Sequence, residues 1–246
     1  IVTNVVNVLL SGYLNLIPKE YYQFQRKAGK NKIALMLKEV FPLALGMTLI
    51  MYLGNAPKYT IDGYFTDLQQ TSFNIIYMPV FIIGLFSSFI FSPLMKSMAE
   101  AWAGGQIKKF QAIVKRQLGL IVLFTTGAIV GGYVIGLRLL EMVYGVSLAG
   151  EMFNLVLLLV CGGLIALMTF YIALYTIWRR QSIVLVILAL ASGVYFIGAN
   201  LVMVNFATTG LIMFYLACLL AGDLGLAIYG GLIVHDNNKI INGGEI

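Results

Sequence analysis

Few side chains in this chain could do chemistry, and the most telling ones sit where charge is costly. Lys58 and Asp62 lie one helical turn apart in FPLALGMTLIMYLGNAPKYTIDGYF, residues 41–65, with Asn55 and Pro57 just ahead of them. The stretch is long and apolar enough to cross a bilayer. A cation, an anion and a proline inside such a span each cost free energy unless the interior beside them is wet or lined by protein. Three readings of Lys58 follow: it snorkels to the headgroups, it pairs with Asp62 at i,i+4, or it lines an aqueous cavity where it can meet an anionic substrate. Asn74 and Tyr77, a turn apart ahead of Pro79, are candidates for the same wall, and Pro57 and Pro79 are candidate hinges. Arg138 and Glu141 stand at i,i+3, which suits either an ion pair near the end of a span or a cation at a cavity mouth. Asp223, beside glycines in LLAGDLGLAIYGG, is a lone carboxylate in an apolar run. It either makes a helix-packing hydrogen bond or couples transport to a proton or cation.

Catalytic chemistry finds no foothold. The single histidine, His235, stands beside Asp236 in the C-terminal tail and reads as solvated. There is no paired-carboxylate cluster, Gly-rich phosphate loop or nucleophile elbow, and Gly104-Gly105 reads as a turn. Cys161 and Cys218 fall inside apolar runs without CxxC or Cys/His ligand spacing, so they read as small core residues and no metal site is expected.

The elements that must position these residues are membrane helices. Of 246 residues 60% are hydrophobic and only 11% charged, with a mean hydropathy of +0.92. A soluble domain carries about 25% charged residues. After an apolar stretch at 1–17 closed by Pro18, a polar connector and a short amphipathic helix fill 18–40. Six apolar runs follow at about 41–65, 71–95, 118–142, 153–178, 182–205 and 209–234, each near the ~20 residues a crossing helix needs. They are too long for the ~10-residue strands of a membrane barrel, which predicts an all-α, polytopic bundle of six spans at 41–234, followed by a tail at 235–246. The chain opens at Ile1 within an apolar run and reads as part of something longer, with 1–17 ending an earlier span.

Charge tests that layout. Fourteen of the 16 Lys and Arg residues fall in 18–40, 96–117, 179–181 and the C-terminal tail, while the alternate loops hold Asp67 and Glu151. The positive-inside rule then places the basic loops and the C-terminus in the cytoplasm of a multi-pass cell-membrane protein. The net charge of +6 therefore serves topology and anionic lipid headgroups, with Lys108, Lys109, Lys115 and Arg116 of KKFQAIVKR forming an interfacial helix. No basic–aromatic polar surface suggests nucleic acid. Lys58 and Arg138 are the two cations that topology leaves unexplained.

The runs LKEVFPLALGMTLIMYLGNAPKYTID, NIIYMPVFIIGLFSSFIFSPLMKSMAEAWAGGQIKKF and LLEMVYGVSL resemble the second half of a bacterial polysaccharide flippase. The group is the Wzx-like, lipopolysaccharide or O-antigen branch of the multidrug/oligosaccharidyl-lipid/polysaccharide exporter superfamily. The resemblance implies two six-helix lobes around a central cavity that opens alternately to either side. Residues 41–234 would be helices seven to twelve, 18–40 the cytoplasmic linker, and 1–17 the end of helix six in the N-terminal lobe. It implies a substrate, undecaprenyl-diphosphate-linked oligosaccharide, flipped for surface polysaccharide biosynthesis, with other polysaccharide-assembly membrane proteins as partners. Lys58, then Arg138, would receive the diphosphate, beside Asn55, Asp62, Asn74 and Tyr77. No cofactor is implied beyond H⁺ or Na⁺ coupling.

The residues alone leave other functions open. A Na⁺- or H⁺-coupled multidrug exporter of the same superfamily would use Asp223 or Asp62 for coupling. A membrane-embedded polysaccharide polymerase or ligase would need a large polar outer loop, and the outer loops here are short. A purely structural membrane subunit would have no use for Lys58 or Asp223 inside its spans.

Overall fold

The computed structural model describes residues 30–243, in a chain that divides into two units, Ile1–Pro42 and Leu43–Ile246. The expected end of an earlier span at 1–17, and the connector up to residue 29, lie outside the described residues. In the first unit the described residues, 30–42, are the opening turns of helix α1 (Lys30–Leu53).

The second unit is helical throughout its ordered elements, with no strand among the described residues. After α1 come α2 (Ala56–Asp62), α3 (Asp67–Phe91), α4 (Leu94–Ala103) and α5 (Ile107–Gly131). A single π-helical turn, Gly132–Gly136, joins α5 to α6 (Leu137–Tyr144), and α7 (Met152–Ile177) and α8 (Gln181–Gly243) complete the chain. Among the described residues four stretches are long and apolar enough to cross a membrane: Asp67–Phe89, Ile107–Tyr144, Met152–Ile177 and Gln181–Val234.

Each boundary has a local cause. Gln69 Oε1 accepts the Thr66 backbone N–H at 3.1 Å and starts α3, a capping arrangement that satisfies a donor the helix cannot. α3 runs unbroken through Pro79 and stops at Ser92-Pro93, short of the expected 95. The basic run KKFQAIVKR is not a separate interfacial helix. It forms the opening turns of α5, because nothing between Arg116 and the apolar run can stop a helix. α4 ends where Gly105 adopts φ +67°, the left-handed turn that Gly104-Gly105 suggests.

α8 is two helices. Ala207, at φ 55° and ψ −161°, breaks it into arms at 181–206 and 208–243. Tyr195 packs on Tyr215, Gly198 on Phe214, Ala191 on Gly222 and Ile187 on Gly225. As numbering rises along one arm it falls along the other, so the arms run antiparallel and the chain folds back at Ala207.

α7 is the axis of this unit, packed against α3, α5 and α8. Its glycine pair makes that approach possible. A methyl group on Gly162 would press on the Val80 backbone of α3, and one on Gly163 would collide with Thr125 of α5. On the facing side, Gly132 in the π turn abuts Leu159. Small residues at such crossings let membrane helices pack closely where the hydrophobic effect gives no drive between them.

The two ends of the bundle differ. At one end Trp102, Phe110, Trp178 and Tyr175 form an aromatic cluster joining the α4–α5 corner to the end of α7. That end carries Lys96, Lys108, Lys109, Lys115, Arg116, Arg179 and Arg180. At the other, Thr209 donates to Asn154 Oδ1 at 2.9 Å and Asn154 to Glu151 Oε2 at 2.7 Å, tying the α6–α7 loop to the turn at Ala207.

Candidate functional site

Pro57 decides the local structure around Lys58. In a continuous helix the Leu53 carbonyl would accept the N–H of residue 57, which proline lacks. The helix accordingly breaks between Leu53 and Ala56, and α2 restarts with proline in its first turn. The Lys58 N–H then bonds Asn55 O at 3.0 Å, leaving the Gly54 carbonyl without its helical donor as well. The proline-broken helix expected over 41–65 is thus two helices, with two carbonyls at the break left without helical donors.

Buried tyrosines from elsewhere in the fold supply the donors. Tyr215, on the second arm of α8, donates its hydroxyl to Leu53 O at 2.6 Å. Tyr77 of α3 donates to Gly54 O at 2.9 Å, and the two phenolic oxygens lie 3.4 Å apart. Tyr195, on the first arm of α8, lies within hydrogen-bond distance of Thr60 Oγ1 at 3.2 Å, holding α2 from a third side. All three tyrosines are fully buried. A tyrosine ring spread through a span would ordinarily suggest the interfacial belt, and for Tyr77 and Tyr195 the structure gives a different role. Tyr215 carries no distinguishing sequence neighbour. The signal for it was indirect: a proline in a span obliges some donor to reach the carbonyl four residues back.

Lys58 projects from the first turn of α2, half-buried. Its ammonium lies 4.8 Å from the ring centroids of both Tyr77 and Phe81. Phe73, Tyr77 and Phe81 form a ladder of ring contacts along α3, and the cation sits against its last two rungs. Cation–π contacts of this kind contribute about 1 kcal/mol. The Lys58–Asp62 ion pair that the spacing allows does not form. Asp62 is exposed, and its backbone carbonyl accepts Gln70 Nε2 at 3.2 Å. The charge on Lys58 is therefore met by aromatic faces and has no carboxylate against it among the described residues.

The remaining candidates divide. Asn55 caps nothing ahead of it and instead donates from Nδ2 to Met51 O at 3.0 Å, staying at the break. Asn74 is exposed on α3 while Tyr77, one turn on, is buried. Arg138 is exposed on α6 and does not pair with Glu141, whose Oε1 accepts the Leu148 N–H at 2.7 Å and closes the α6–α7 loop. The i,i+3 ion pair is thus replaced by a loop cap. Asp223 is 4% exposed on the second arm of α8, and neither carboxyl oxygen has a hydrogen-bond partner among the described residues. Cys161 and Cys218 are buried free thiols. The structure thus gathers Lys58, Asn55, Pro57 and Tyr77 at the helix break and leaves Asp62, Asn74, Arg138 and Asp223 apart from them. No family model, curated protein or solved structure matches this chain.

Proposed function

We propose that this chain is one lobe of an alternating-access transporter that flips a lipid-linked anionic saccharide, of the diphosphate-linked oligosaccharide class, across the cell membrane. In this reading the chain makes six crossings: the α1–α2 pair, α3, the α5–α6 run, α7 and the two arms of α8. They correspond to helices seven to twelve of the polysaccharide-flippase lobe, with the basic end in the cytoplasm.

The observation that carries this reading is Lys58 on a broken helix. Discontinuous helices in transporters mark the substrate site, because non-helical backbone at membrane depth persists only beside protein or a polar cavity. A cation resting on two ring faces, with no carboxylate against it, keeps its charge free for an incoming anion. In a low-dielectric lumen, opposite charges at contact distance attract far more strongly than in water, which offsets part of the cost of carrying a diphosphate through the membrane.

The test is complementation of surface polysaccharide in a deletion strain. Lys58→Ala is expected to lose polysaccharide while membrane levels of the protein hold, and Lys58→Arg to retain more activity than Lys58→Ala. Wild-type polysaccharide in Lys58→Ala removes the role. A second reading, an ion-coupled multidrug exporter, draws on the buried and unpartnered carboxylate of Asp223. It predicts greater susceptibility of the deletion strain to cationic drugs, restored by the wild type but not by Asp223→Asn.

A further inference from the structure

At the basic end of the bundle, α5 and the second arm of α8 flank α7, and a groove of about 340 Å³ lies between them. That is the lower range of small-molecule pockets. Gly230 and Gly231 leave the α8 wall without side chains, and Trp178 of α7 closes one side of the groove. Apolar residues line most of it. The polar side chains that line it are Gln111, Lys115, Tyr171 and Trp178, each able to donate a hydrogen bond and none a carboxylate. The indole N–H of Trp178 has no acceptor among the described residues.

We infer that this groove binds an anionic glycerophospholipid, with an acyl chain along Gly230 and Gly231 and the phosphate at Lys115. Charge around the groove favours that occupant. Lys108, Lys109 and Arg116 stand exposed on the same turns of α5, and Arg179 and Arg180 follow Trp178 directly. Of the carboxylates at this end, Glu100 is taken up by Lys96 at 3.8 Å, and Asp236 lies on α8 two residues beyond Val234 of the groove. Basic pockets between transmembrane helices recruit anionic headgroups in this way, a cation at the phosphate contributing about fivefold in affinity and those around it less. The groove is separate from the helix break and stands whether or not the transport reading does.

The experiment is native mass spectrometry of the purified full chain, exchanged into mixed phosphatidylglycerol and phosphatidylcholine. Retention of phosphatidylglycerol over phosphatidylcholine is expected, falling about fivefold in Lys115→Ala. Gly231→Leu, whose first carbon meets nothing within 4 Å, is expected to fold normally and release the lipid by filling the groove. Lys109→Ala, on the surface outside the groove, is expected to lose less binding than Lys115→Ala. Equal retention of both lipids overturns the anionic preference. Unchanged binding in both groove variants, or a loss in Lys109→Ala as large as in Lys115→Ala, overturns the site. Displacement of the lipid by excess inorganic phosphate would overturn the acyl-chain contact, because a free anion would then suffice.

Discussion

A phenol can do for a backbone what no apolar side chain can, and Tyr215 and Tyr77 do it for the break at Leu53–Gly54. Leaving a buried carbonyl unpaired costs about 1–3 kcal/mol. Tyr215→Phe removes only the oxygen that donates to Leu53 O, so it is expected to lower stability by that amount. Thermal unfolding of the purified protein measures it, with Tyr133→Phe, an exposed tyrosine, as the reference. A Tyr215→Phe shift no larger than the reference would mean the carbonyl is satisfied some other way. At this scale the sequence was legible where a residue is costly in its own surroundings: Lys58, Pro57 and Asp223 stand out against apolar runs. Tyr215 does not stand out, because its value comes from a carbonyl 162 positions away in the chain. The ion pairs read from spacing failed for the same reason. Spacing brings Lys58 near Asp62 and Arg138 near Glu141, but Lys58 has aromatic faces beside it and Glu141 has a loop N–H.

Elements followed the apolar runs more closely than they followed the breakers inside them. Pro79 leaves α3 whole, whereas Pro57 splits its helix at a point upstream, because a proline unpairs the carbonyl four residues before it. The fold-back between the last two runs was expected near 205–209, and Ala207 makes it in a conformation that only glycine adopts without strain. Such a residue costs about 1–3 kcal/mol. Ala207→Gly is therefore expected to raise the thermal midpoint, provided the added freedom of the unfolded chain, which takes back up to about 1 kcal/mol, does not exceed the relief. A fall in the midpoint would show that the turn is relaxed as it stands. The merging of KKFQAIVKR into α5 was not legible in the charge pattern, since charge marks where a helix meets the interface but does not end it.

The second unit is a bundle wrapped on α7, with most of its described cations gathered at one end. If that end faces the cytoplasm, cysteines introduced at Lys109 and Ala149 should be labelled by impermeant maleimide from opposite sides of the membrane. The two native thiols are buried and should stay silent in intact vesicles. Labelling of both positions from one side would overturn the orientation. The fold class was legible because composition and run length depend little on detail; the packing was not, because it rests on glycines whose partners lie on other helices. One hydroxyl at the helix break also sets a statistical weight. Pro57 denies the Leu53 carbonyl a helical donor whether the helix is straight or broken, so the weight rests on Gly54: that one carbonyl left bare at about 1–3 kcal/mol would make the broken conformer rarer by a factor of about five to about 160. With Tyr77 in place the broken form is the populated one, and any rearrangement that separates α3 from the end of α1 withdraws that weight at once. Helix straightening and the parting of α3 from α1 are then one equilibrium, read out at the Tyr77 hydroxyl.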